Sequence, residues 1–151
     1  TIPFRGGRAI EGFSMGGFGA VKFALEFPEL FCSAVSYGGS CFGASGKPSE
    51  SVYNIVSANE NTLDKYDVRI RLVRGVNDGT PNDNAALRDF LVSQSITVEY
   101  ETAVPNTVHH WGDYYRNNGD VGLDFHQQCF TDNPAPELTE FVYLPAVLRS
   151  P

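Results

Sequence analysis

The chain has 151 residues, 42% apolar and 19% charged, which suffices for one domain with a core and excludes a disordered or low-complexity chain. Aspartate and glutamate number 18 against 11 lysines and arginines, a net charge of −7 with no basic run, which argues against a nucleic-acid partner. No apolar stretch reaches the length of a membrane span.

Arg8-Ala9-Ile10-Glu11 predicts a short strand ending at Gly12. Ala20 to Phe27 has apolar residues at nearly every position and no internal glycine or proline, which predicts a largely buried helix stopped by Pro28. Ser33 to Tyr37 predicts a second strand, closed by Gly38-Gly39. Residues 41–66 are rich in Gly, Ser, Pro and Asn and predict a connecting excursion, with weak helix signals at Val52–Ser57 and Thr62–Lys65. Arg69 to Val73 predicts a third strand. Asn82 to Gln94 predicts a helix with Ala86, Leu87, Phe90 and Leu91 on one stripe, and Ile96 to Tyr100 a fourth strand. Trp111 to Tyr115 predicts the opening of one helix and Val121 to Phe130 another. From Thr131, prolines at 134, 136, 145 and 151 predict an irregular tail. The alternation of strand and helix predicts an α/β fold, a parallel sheet flanked by helices, with reactive loops at the carboxyl ends of the strands.

Ser14 stands in "EGFSMGGFG", directly after the first strand and before the first helix. That context fits the G-x-S-x-G nucleophile elbow. Its tight turn requires small residues two positions either side, and Gly12 and Gly16 supply them. The helix amino end favours developing negative charge, and the Met15 backbone N–H is the expected oxyanion donor. A serine hydroxyl needs a base, and the base needs an oriented acceptor, arriving here in the order acid, then histidine. Asp78, in the turn after the third strand, is the preferred acid; Asp83, at the next helix start, is the rival. His109, after the fourth strand, is the preferred base with His110 in reserve, and His126 is expected to be a packed or surface residue. Met15, Tyr37, Cys41 and Trp111 are pocket candidates or, equally, packing residues. Cys32, Cys41 and Cys129 have neither zinc-site nor framework spacing and are expected to be free, buried thiols. No metal or cofactor is expected.

The run from Gly7 to Gly39 resembles the esterase family of the α/β-hydrolase superfamily, which groups feruloyl-esterase-like, esterase D-like and antigen 85-type proteins. The matching features are G-x-S-M-G-G at Gly12–Gly17, Pro28-x-x-Phe31, Gly75-x-x-Asp78 with Asn84 after it, and His109-x-Trp111. The resemblance covers residues 5–130 and supports His109 over His110; Asn106 departs from the family by standing where glycine is frequent. It implies a serine esterase that forms an acyl-enzyme on Ser14, with a small-molecule or carbohydrate-linked ester as substrate. An acyltransferase on the same residues and a non-catalytic binding module are the alternatives. The family places several strands before the elbow, so residues 1–130 are expected to be the C-terminal part of one α/β-hydrolase domain, followed by a tail at 131–151. An unpaired edge on the elbow strand, a second oxyanion donor lying upstream and an inactive isolated fragment follow as expectations. The chain opens on Thr1 with no signal segment in view, and a secreted or a cytoplasmic location fits equally.

Overall fold

Four parallel strands lie in the order β1-β2-β3-β4: β1 Ala9–Phe13, β2 Ser33–Tyr37, β3 Arg69–Gly75 and β4 Thr97–Val104. This architecture comes from a computed structural model that describes residues 4–43 and 51–134. β2 is buried along its whole length, as a central parallel strand covered on both faces must be. Its residues alternate between two cores. Ala34, with Ile70 and Leu72 of β3, meets helices α1 (Met15–Glu26), α2 (Val52–Ala58) and α4 (Asn84–Ser93). Val35 and Tyr37, with Val73, meet Tyr114 and Phe125 of the long helix α5 (Trp111–Asp132). A short helix, α3 (Glu60–Leu63), closes the excursion. Each fully buried leucine or isoleucine in these cores contributes about 1.5–3 kcal/mol.

The differences from the predicted elements have local causes. α1 begins at Met15 rather than Ala20: glycines at 16, 17 and 19 weaken helix propensity, but the first turn packs onto the sheet at Gly17, where a Cβ would lie 2.6 Å from Ser36 Oγ. β4 continues past Tyr100 to Val104, which pairs with Gly75 across a register shift. The two predicted C-terminal helices are one, since Asn118 and Gly122 face the sheet: Asn118 accepts from the buried Arg71, and a Cβ at Gly122 would lie 1.9 Å from Tyr37 Oη. Thr131 and Asp132 belong to α5, and the rest of the predicted tail from residue 135 lies outside the described residues, as do positions 44–50 of the excursion. Among the described residues, β1 pairs only with β2, and no helix is long and apolar enough to cross a membrane.

The expectation of three free, buried thiols is corrected. Cys32 and Cys129 form a disulfide that ties the chain just before β2 to the last turns of α5, and Cys41 is free and exposed. Spacing could not reveal this pairing, since 97 residues separate the partners and only the packing of α5 on the sheet joins them. Closing so long a loop restricts the unfolded chain by about 4–5 kcal/mol. The double variant Cys32→Ala/Cys129→Ala is therefore expected to unfold at a clearly lower urea concentration; a midpoint equal to that of the unmodified protein would contradict this.

Candidate active site

Ser14 is the only residue between β1 and α1, and its backbone sits at φ 55°, ψ −118°. A residue with a Cβ pays about 1–3 kcal/mol for such a conformation. The fold supplies it through hydrogen bonds from Ser14 N–H to Tyr37 O at 2.9 Å and from Phe18 N–H to Ser14 O at 3.0 Å. The turn also demands close approach, because a Cβ at Gly12 would stand 2.4 Å from the Gly16 carbonyl group. The expected constraint on residue 16 moves one place along. A side chain there meets nothing, whereas one at Gly17 would reach within 2.6 Å of Ser36 Oγ. Met15, as the first residue of α1, presents a backbone N–H with no acceptor inside the helix.

Asp78 follows the carboxyl end of β3 and His109 that of β4, so both lie on the rim that holds Ser14. His109 Nε2 is 2.9 Å from Ser14 Oγ, and His109 Nδ1 is 2.9 Å from Asp78 Oδ2. With Asp78 accepting at Nδ1–H, Nε2 is the free acceptor for the Ser14 hydroxyl proton. The imidazole packs against the Phe13 ring, with centroids 4.7 Å apart. The two loops are sewn together by Val76 N–H to Val104 O at 3.0 Å and Asn77 N–H to Thr107 O at 3.1 Å. Asn106 turns the second loop at φ 52°, a left-handed conformation that asparagine tolerates.

The rival positions are occupied otherwise. Asp83 Oδ2 accepts from Phe42 N–H at 2.8 Å and so fastens the segment after β2. His110 precedes α5 with an exposed ring, 3.9 Å from Asp113. His126 is buried under the other end of the sheet, where Nδ1 lies 2.7 Å from Ser33 Oγ and Nε2 lies 3.5 Å from Glu11 Oε2. Tyr37 is fully buried between Tyr114 and Tyr115, while Met15 and Trp111 are 81% and 61% exposed. Among the described residues no cluster of three or more His, Cys, Asp or Glu could hold a metal ion.

The family model described as "Putative esterase" matches residues 3–122. The chain belongs to the esterase family. Esterase Rv1288 of Mycobacterium tuberculosis (strain ATCC 25618 / H37Rv) is 58% identical over 33 residues, which are 22% of this chain and 7% of that protein. A ferulic acid esterase superposes with a TM-score of 0.66 at 19% identity, covering 86% of this chain and 55% of that one. The S-formylglutathione hydrolase FrmB of Staphylococcus aureus superposes with a TM-score of 0.59 at 21% identity, covering 83% and 52%. The fold is thus that of the α/β-hydrolase esterases, and the chain spans about half the length of these solved structures and a small part of the curated relative.

Two residues of this esterase-family chain escaped the sequence reading. Thr80 donates to Asp78 Oδ1 through both N–H (2.9 Å) and Oγ1 (2.7 Å), and Tyr114 Oη donates to Asp78 Oδ2 at 2.5 Å. The Asp-Gly-Thr run was the available signal for the first, since an aspartate commonly accepts from the backbone two residues on. For Tyr114 the signal was only its place in the first turn after the histidine loop. Burial alone would raise the Asp78 carboxyl, but hydrogen bonds from Thr80, Tyr114 and His109 outweigh it and hold the group well below the ordinary carboxylate range. A carboxyl so depressed gives stability that is complete above the unfolded value of about 4 and is lost as the pH falls toward the folded value. Asp78→Asn is expected to flatten the acid side of the stability curve, measured by urea unfolding between pH 6 and pH 3; a variant curve parallel to that of the unmodified protein would contradict this.

Proposed function

We propose that the protein hydrolyses carboxylic esters of small-molecule or carbohydrate-linked alcohols, with Ser14 as nucleophile, His109 as general base and acid, and Asp78 as the acceptor that orients the imidazole. The observation that carries this reading is the unbroken chain from Ser14 Oγ to His109 Nε2 and from His109 Nδ1 to Asp78 Oδ2, 2.9 Å at each link. Membership of the esterase family supports it.

In this reading Ser14 Oγ attacks the acyl carbonyl while its proton passes to His109 Nε2. The carbonyl oxygen takes up negative charge beside the Met15 N–H at the amino end of α1, where a prearranged donor and the helix field favour it. The tetrahedral species collapses, the C–O bond to the alcohol breaks, and His109 returns the proton to the departing oxygen. A water then attacks the Ser14 ester with His109 accepting its proton, and the acid leaves with the Ser14 hydroxyl restored. Asp78 stays ionised throughout, and its depressed carboxyl suits it to stabilise the imidazolium that forms twice in each turnover. The Cys32–Cys129 disulfide suits an oxidising compartment.

In the protein at its natural length, assayed with a short-chain p-nitrophenyl ester, Ser14→Ala is expected to lower kcat at least about 10⁴-fold, while His110→Ala stays within about threefold of the unmodified protein. Hydrolysis by Ser14→Ala at a rate within tenfold of the unmodified protein would refute the assignment.

A further inference from the structure

Asp78 Oδ2 receives two donors, and only one of them, His109, belongs to the proposed proton path. The other is the phenol of Tyr114, which is fully buried in the first turn of α5. Its hydrogen-bonding state follows from its neighbours. Gly75 N–H, at the end of β3, donates to Tyr114 Oη at 2.9 Å, so the phenol's own proton is directed at Asp78 Oδ2, 2.5 Å away. Burial, and then the hydrogen bond to Asp78, push the phenol above its ordinary pKa, which keeps it a donor across the working range of pH. The ring is clamped between Phe13 and Tyr37, with centroids 5.7 and 6.2 Å away. The space for this contact is kept open by Gly38, at φ 59°, whose Cβ would lie 2.9 Å from both Asp78 Oδ2 and Tyr114 Oη.

We infer that Tyr114 is a positioning residue for the reaction: its hydroxyl fixes the plane of the Asp78 carboxylate and shares the charge on Oδ2 with His109 Nδ1–H. The inference rests on the proposed roles of Ser14, His109 and Asp78. Thr80 holds Oδ1 by two bonds, so without Tyr114 the carboxylate is tethered at one oxygen and can turn Oδ2 away from the imidazole. Oδ2 would also carry an undivided charge, a stronger partner for an imidazolium. Among the described residues a further charged group near this carboxylate is Arg74, which donates to the Asp78 main-chain oxygen at 2.7 Å.

The test compares the unmodified protein with Tyr114→Phe and with a series in which 3-fluorotyrosine and 3,5-difluorotyrosine replace Tyr114. Rates of p-nitrophenyl ester hydrolysis are measured from pH 5 to 9. Tyr114→Phe is expected to lower kcat about tenfold or more with KM within twofold, and to move the acid limb of the kcat/KM profile to higher pH. The fluorinated phenols keep the ring's shape but are progressively stronger donors, and are expected to move that limb stepwise to lower pH. Should the phenylalanine variant fail to fold, the fluorinated series decides alone. A limb that stays in place across the series, with kcat unchanged, would overturn the inference and leave Tyr114 a packing residue. Ser14→Ala serves as the control on the underlying reading: if it is inactive, a flat Tyr114 series refutes only the positioning role, whereas an active Ser14→Ala removes the basis of both.

Discussion

At Ser14 the chain passes from strand to helix within one residue, and that turn exists only because residue 12 has no side chain. The Gly12 Cα lies against the carbonyl of Gly16, so the first turn of α1 comes down directly onto the end of β1. Two consequences follow from the same contact. The Ser14 hydroxyl is lifted onto the carboxyl rim of the sheet at a backbone conformation the residue would not adopt unaided. The unpaired N–H groups at the head of α1 open onto the same point, where they can meet an anion. A single added methyl group at position 12 would lose both.

The other half of the site depends on register. β3 and β4 run parallel to β1, so the loops that leave them reach the same rim, and the links from Val76 to Val104 and from Asn77 to Thr107 hold those loops at fixed spacing. α5 then closes the arrangement from below. Its first turn places Tyr114 against Asp78, and its last turns are joined through Cys129 to the residue before β2. Asp78 is therefore held at Oδ1 by its own loop, through Thr80, and at Oδ2 by His109 of the next loop and by a helix tied down at the opposite end of the sheet. The carboxylate is buried yet ionised because four donated hydrogen bonds replace the water it has lost.

Much of this was legible in the sequence wherever a residue's role is set by its neighbours along the chain. β2 runs from Ser33 to Tyr37 as read, because a short apolar run bounded by a turn has few other ways to be buried. Ser14, Asp78 and His109 could be picked out because a parallel sheet gathers the residues that follow its strands, and the structure brings these three within hydrogen-bonding distance. What escaped reading depends on contacts across the fold. The helix starts before Ala20 because Gly17 can lie against Ser36 of β2, and the residues between the two predicted C-terminal helices are helical because Asn118 accepts from Arg71. The pairing of Cys32 with Cys129 and the meeting of Tyr114 with Asp78 are products of where α5 lies, which no spacing along the chain encodes.

The central claim is that Ser14 is a nucleophile activated by His109, and peptide mapping after reaction with a fluorophosphonate tests it most directly. The account predicts one adduct, on the peptide carrying Ser14, with labelling slowed at least about 100-fold in His109→Ala. An adduct on another residue, or labelling of Ser14 at an undiminished rate without His109, would contradict it.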